Sequence, residues 1–376
     1  MNRSHAILTV FLTVFLVFVS QAQDGQTPKS VELTERSVDA VSAMDESAEV
    51  FSFEMFDETN INTAVAPTII AFGSCNKINM PQTMWQYVAA NDPQLWIWLG
   101  DIIYADTTNM LALAAQYRIL KSNSDYKKLR DKAQIVGIYD DHDYGYNDAC
   151  KDYPKKELSK KRLLNFLDVP MNSPVRSREG AYQSYTFGKG EQSIKVIVMD
   201  LRYFRDELEP DPGPARRYYP NMTGNVLGEA QWKWLENELR NSTANLNILC
   251  SSVQVISNEH GYEKWGNFPN ERKRLFDLLV KTQPKNLMIV SGDRHMAEIS
   301  KMDIKGLPYP LYDFTSSGLT HTRSGTSENN MHRVGDMFVK KNFGILKVKW
   351  NGPNPIMNME IRGQQNHLYQ EMEVKY

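Results

Sequence analysis

The chain predicts an α/β protein whose sheet is covered on both faces. Short apolar runs of strand type alternate with segments of helical period along most of its length. The runs are apolar at successive positions, as strands buried on both sides are. With 376 residues, 41% of them hydrophobic, there is material for one large domain or two ordinary ones. The net charge of −2 offers no basic footprint for nucleic acid. Lys155-Lys156 and Lys160-Lys161-Arg162 form a local cationic cluster that reads as the wet face of a helix.

Taken in order, Met1 to His5 is short and basic, Ala6 to Val19 is apolar, and Ser20-Gln21-Ala22 supplies small residues for cleavage. Residues 1–22 therefore read as a secretory signal peptide, with an uncleaved anchor as the alternative. No later segment is long and apolar enough to span a membrane, so a soluble secreted or periplasmic protein is expected. Residues 23–63 are assigned to a polar arm without sustained period, and 64–376 to one domain.

The first strand is expected over Pro67–Phe72, followed by a helix near Thr83–Ala90 and a second strand over Gln94–Leu99. Leu111–Leu120 reads as helix, Gln134–Ile138 as strand, and Glu157–Leu167 as helix, with Pro170 beyond it as a breaker. Ser193–Met199 is a strand. A loop rich in Pro, Gly and charge runs from Glu207 to Asn225, and its Arg216, Arg217, Tyr218 and Tyr219 either meet substrate or pack the loop. A helix over Glu229–Arg240 buries Trp232, Leu235 and Leu239. Asn247–Val253 is a strand, Arg272–Lys281 an amphipathic helix, Leu287–Val290 a strand, and the tail from Phe343 alternates like antiparallel strands.

The apolar strands end in metal-binding residue types: Cys75, Asp101, the run Asp140-Asp141-His142-Asp143, and Asp293 with His295. In α/β sheets ligands bind beyond the carboxyl ends of strands. Gly73, Gly100 and Gly292 stand beside these positions, where a residue without Cβ allows a sharp turn. Gly-Asp after a strand is common turn chemistry; its recurrence on several strands points to one shared site.

Phe72-Gly73-Ser74-Cys75, Leu99 through Asp106, Tyr139 through Gly145, Leu227 through Leu235, Ser251 through Val255, Trp265 through Arg274, Ser291 through His295 and Thr315 through His321 follow in this order. Together they resemble the alkaline phosphatase D (PhoD-like) family of metallophosphoesterases. The resemblance implies a sandwich of two mixed sheets flanked by helices, carrying Fe(III) and Ca²⁺ and hydrolysing phosphate esters; a monomer acting on a small-molecule ester is expected. By the family pattern Cys75, Asp101, Tyr104 and His295 would hold the iron. Asp101 would bridge, Asp141 and Asp293 would hold calcium, and Asn147 is a further candidate ligand. His142 takes the family's general-acid position, with Asp143 to orient it. Asp143 stands where many relatives have Glu, and Arg294 where relatives often carry an apolar residue.

The chemistry is consistent with that pattern. Two cations neutralise an anionic ester and make a bound water acidic enough to attack. Thiolate and phenolate suit a high-charge ion, carboxylates suit calcium. Taken singly, the residues have plainer readings. Cys75 can be a small buried hydrophobe, Tyr104 a core tyrosine, Asp140 a helix cap, His260 a loop histidine rather than a residue that completes the calcium side or binds phosphate, and Arg202 either a phosphate contact or a salt-bridged structural arginine. With Cys75 taken by a metal, Cys150 and Cys250 are left to pair in an oxidising compartment. Rival functions are a non-catalytic calcium-stabilised module and a calcium-only phospholipase-type hydrolase.

Overall fold

Strand alternation decides how this chain is layered. In the run Gln192–Val198, Ile194, Val196 and Val198 share one face and Ile197 takes the other, and both faces are buried. The computed structural model describes residues 55–213, 217–325 and 327–376. The expected signal peptide, most of the expected arm, and Arg216 lie outside the described residues.

Fourteen strands are formed among the described residues. These are β1 (Ile69–Gly73), β2 (Leu95–Leu99), β3 (Gln134–Ile138), β4 (Gln183–Lys189), β5 (Gln192–Val198), β6 (Glu209–Pro210) and β7 (Tyr218–Tyr219). They continue with β8 (Leu246–Ser251), β9 (Leu287–Ser291), β10 (Ala297–Met302), β11 (Leu311–Ser316), β12 (Asn342–Asn351), β13 (Asn354–Gly363) and β14 (Leu368–Lys375). The α-helices are α1 (Met84–Ala89), α2 (Met110–Ser122), α3 (Ser124–Arg130), α4 (Asp141–Tyr144), α5 (Lys156–Phe166), α6 (Gly228–Arg240) and α7 (Pro269–Thr282).

One six-stranded sheet has the order β14-β13-β12-β1-β2-β3 and the other β10-β11-β9-β8-β5-β4. Both are mixed. β1, β2 and β3 run parallel, whereas β12 joins β1 antiparallel. In the second sheet β5, β8, β9 and β11 are parallel and β4 and β10 close the edges antiparallel. The sheets pack face to face, with Phe72 of β1 edge-on against Phe314 of β11 at 4.8 Å.

Helices cover the outer faces. Trp96 and Trp98 leave the same side of β2 and meet Trp85 of α1, each at 5.2 Å, with Tyr126 of α3 beside them. Outside the second sheet, Ile197, Leu249, Leu287 and Ile289 pack against Trp232, Leu235 and Leu239 of α6 and Leu275 and Leu279 of α7. The helices start where the sequence supplies caps. Asn109 accepts from Leu111 N and Ala112 N, Asn123 accepts from Asp125 N and Tyr126 N, and Pro269 opens α7.

The two sheets share their carboxyl-end rim, and Gly292 marks where they touch. A Cβ there would lie 2.3 Å from Leu99 O, 2.8 Å from Ser74 Oγ and 2.9 Å from Ser252 O. The ends of β1, β2, β8 and β9 thus meet at a point that only glycine can occupy.

The expected cysteine pair is not formed. Cys75, Cys150 and Cys250 are all free and buried. Cys250 belongs to the core between the sheets, while Cys150 lies in the loop after α4. β4, β10 and β11 go beyond the strands read from the sequence.

Candidate metal centre

Each apolar strand that enters the rim turns sharply on leaving it. Cys75 after β1, Asp101 after β2, and Asp293 and His295 after β9 all have left-handed φ, at 61°, 48°, 68° and 53°. Aspartate and histidine tolerate that region better than cysteine does. Hydrogen bonds fix the turns: Asn76 N to Asp101 O at 2.9 Å, Arg294 N to Gly292 O at 2.9 Å, and Arg323 N to His295 O at 3.0 Å. Gly100, at φ 87°, completes the close approach, since a Cβ on it would sit 2.3 Å from that of Asp140.

The turns aim four side chains at one place. Tyr104 donates its hydroxyl to Asp101 Oδ2 at 2.8 Å and lies 2.9 Å from His295 Nε2. Cys75 Sγ is 3.5 Å from the same Asp101 oxygen. Donor atoms of Cys75, Asp101 and His295 lie within 4.8 Å of one another, as do those of Asp101, Asp141 and His142. Asp101 belongs to both groups, which suits a bridging carboxylate. Asp293 joins through Cys75, whose thiol approaches the Asp293 carbonyl at 3.6 Å.

The residues fit cations. Asp101 Oδ1 and Asp141 Oδ1 are buried without a partner among the described residues, a costly state for carboxylate oxygens. Burial, and then the charges of Asp101 and Asp293, push the Cys75 thiol well up. Burial and then Asp141 do the same to Asp101. Cations reverse that pressure, because they favour the charged form of every donor. Thiolate, phenolate, imidazole and carboxylate suit iron(III), and carboxylates alone suit calcium.

His142 stands at the rim with its ring 4.2 Å from that of Tyr104. Its orienting partner is Asp106, at 2.6 Å from Nδ1, and not Asp143 as expected. Ala105 N and Asp106 N also bond to the His142 carbonyl, at 3.1 and 3.3 Å, so the pair is fixed through backbone as well. Burial opposes a charged imidazole here, but Asp106, Asp101 and Asp141 push its pKa up to about 10. Asp143 is turned inward, accepting from Asp140 N at 2.6 Å, Ile102 N at 3.1 Å and Tyr117 Oη at 3.3 Å. It holds the start of α4 in place.

Two further expectations are corrected. Arg202 is committed to ion pairs. It is fully buried, its Nε 2.6 Å from Asp140 and its Nη1 3.0 Å from both oxygens of Glu263. Asn147 is exposed and spends its amide on Asp148 at 2.5 Å. Besides Asp101, the acidic groups that join Asp141 within 4.8 Å are Asp148 and Glu263. For Asp141, burial is outweighed by Arg202, His142 and the Asp148 N–H, which bring it down to about 2.

Asp106, Asp148, Glu263, Lys77 and His321 escaped the sequence reading. Lys77 Nζ stands 4.8 Å from the Tyr104 ring centroid. His321 lies 4.4 Å from His295, ring to ring, and its Nε2 is buried without a partner among the described residues. Asp106 and His321 sit inside the stretches that carried the resemblance, which was the available signal. Glu263 follows no strand end, and nothing local marks it.

A profile of the PhoD-like phosphatase family matches residues 70–364. Alkaline phosphatase D of Bacillus subtilis (strain 168) is 23% identical over 279 residues, covering 62% of this chain and 47% of that protein. The chain thus spans about half the length of that relative. A solved structure of PhoD superposes with a TM-score of 0.65 at 17% identity, over 85% of this chain and 70% of that one. A purple acid phosphatase from yellow lupin seeds gives 0.56 at 11% identity, over 84% and 55%. Both likenesses are of fold, the α/β sandwich with helices outside. By its matched length and its fold, this chain belongs to the PhoD-like phosphatase family.

Proposed function

We propose that the protein is an exported metal-dependent phosphoric ester hydrolase of the phosphodiesterase and alkaline phosphatase D type. The observation that carries this reading is the convergence of Cys75, Asp101, Tyr104 and His295 within hydrogen-bonding distance, with Asp141 and His142 alongside. Cys75, Asp101, Tyr104 and His295 would hold Fe(III), Asp101 would be shared, and Asp141 and Asp293 would hold Ca²⁺. Bound there, the cations supply Lewis acidity and neutralise the charge of the ester.

The chain's own residues do the rest. Lys77 is the cation beside the donors and offsets further negative charge on the phosphoryl group. His142, held by Asp106 through Nδ1, presents Nε2 and gives its proton to the leaving alkoxide. Such help is worth about 10²- to 10⁴-fold. A positioned acid beside the donor set favours turnover over a merely calcium-stabilised module. Among the described residues no helix is long and apolar enough to cross a membrane, and export rests on the basic, apolar and small-residue order of residues 1–22.

The test is metal analysis of the purified protein together with a panel of phosphomonoesters and diesters. Iron and calcium in the protein, and ester turnover abolished by chelation and restored by the ions, are expected. Turnover that persists in excess chelator would refute the metal-dependent reading.

A further inference from the structure

Beside the donor cluster lies a group of side chains that the hydrolytic reading leaves without a task. Arg294 sits between Asp293 and His295 in sequence but turns away from them. Its Nη2 is 2.9 and 2.8 Å from the two oxygens of Glu328. Arg323 pairs with the same carboxylate, and its backbone is tied to His295. Both guanidinium groups stand over the ring of Tyr262, at 4.6 and 5.4 Å. His260 is 6.4 Å from that ring. Two cations thus share one carboxylate.

Two donors in this group have no acceptor. His260 is 6% exposed and Arg294 5%. His260 Nε2 and Arg294 Nε are both buried without a partner among the described residues. His260 Nδ1 accepts from Tyr262 N at 3.3 Å, so the proton of a neutral ring is on Nε2. Burial, then Arg294, Lys264 and Arg323, hold this imidazole well below its ordinary pKa, so it is neutral. A buried donor left unpaired is costly, and donors of this kind beside paired guanidinium groups call for an anionic acceptor. Access exists on one side, where Tyr262 is 44% exposed and the Arg323 side chain 17%.

We propose that His260, Arg294 and Arg323, walled by Tyr262, form an anion subsite for a second phosphate or carboxylate carried on the non-leaving arm of the ester. The subsite deepens the phosphoesterase reading and rests on it. Substrates are then esters with two anionic groups, one at the metal donors and one here.

The experiment compares p-nitrophenyl thymidine 5′-phosphate with and without a 3′-phosphate, since leaving group and scissile diester are identical. Metal-loaded protein should show a kcat/KM ratio of about ten in favour of the 3′-phosphate, the lower end for a charge-assisted hydrogen bond. Arg323→Gln and, independently, His260→Gln should bring that ratio to about one. A ratio near one in the unaltered protein, or one unchanged in both variants, overturns the subsite while leaving the hydrolase intact. If neither ester is turned over, the hydrolase reading fails instead. Calorimetric titration with thymidine 3′,5′-bisphosphate then decides the subsite. Binding lost in Arg323→Gln supports it, and no binding, or binding equal to that of the unaltered protein, refutes it.

Discussion

Replacing Arg202 by alanine should destabilise the fold and leave substrate binding little changed. The guanidinium and its partner Asp140 both have 0% side-chain exposure, and Glu263 has 6%. Glu263 keeps a second cation, Arg205, at 3.3 Å. Asp140 has no such reserve, and its Oδ2 already lacks a partner among the described residues. Breaking a buried pair from one side costs about 3–5 kcal/mol, against a total stability of about 5–15 kcal/mol. A fall in melting temperature of roughly 5 °C or more follows. Burial raises the Asp140 pKa and Arg202 opposes that rise, so the variant leaves a buried acid with a still higher folded-state pKa. Such a group takes up a proton on folding, and its penalty grows as pH climbs above the ordinary aspartate range. The variant should therefore lag least near pH 5 and most near pH 8. Melting curves at both pH values, with kcat and KM measured below both transitions, check this. A variant that melts within about 1 °C of the parent while KM alone rises would show that Arg202 contacts phosphate, and the ion-pair account would be wrong.

Other outcomes follow from the same geometry. His142→Ala should keep its metals, lose little on activated aryl esters, and lose about 10²- to 10⁴-fold on alkyl esters; equal loss on both would remove the general-acid role. Asp106→Asn should move rates in the same direction by only about tenfold, because its carboxylate is 44% exposed and partly screened. If Cys75 and Tyr104 both bind iron, the purified protein should be coloured by charge transfer, and Tyr104→Phe should shift or bleach the band in an absorption spectrum. Gly292→Ala should cost about 1–3 kcal/mol in denaturant melts, since the added methyl meets backbone at 2.3 Å on the opposite sheet.

What the sequence made legible was local. β1, β2, β5, β8 and β9 are short runs of apolar residues, and their interiors were read within a residue or two of their true ends. β11 was hidden because it carries Asp313 and Thr315 into the core. Asp313 is satisfied there by Ser291 Oγ at 2.6 Å and by Val255 N and Ile256 N at 2.8 and 3.0 Å, contacts that no linear pattern announces. The residues proposed as metal donors could be picked out because each follows a strand end. Arg202 follows one too, yet its partner Glu263 is 61 residues away, so its inward turn could be found only in three dimensions. Arg294, marked in the sequence only as a departure from the family pattern, turns to Glu328 between two left-handed residues, Asp293 and His295.

The left-handed turns at Cys75, Asp101, Asp293 and His295 also bear on the order of assembly. Residues in that region cost roughly 1–3 kcal/mol each, and here backbone hydrogen bonds and two hydrophobic cores offset that cost. In small metal-dependent domains, ion loss and unfolding are one event. If the donors hold cations as proposed, the two should separate here, and melting curves with and without chelator would show it. The proposed donors would then stand on a scaffold that is fixed before any ion arrives.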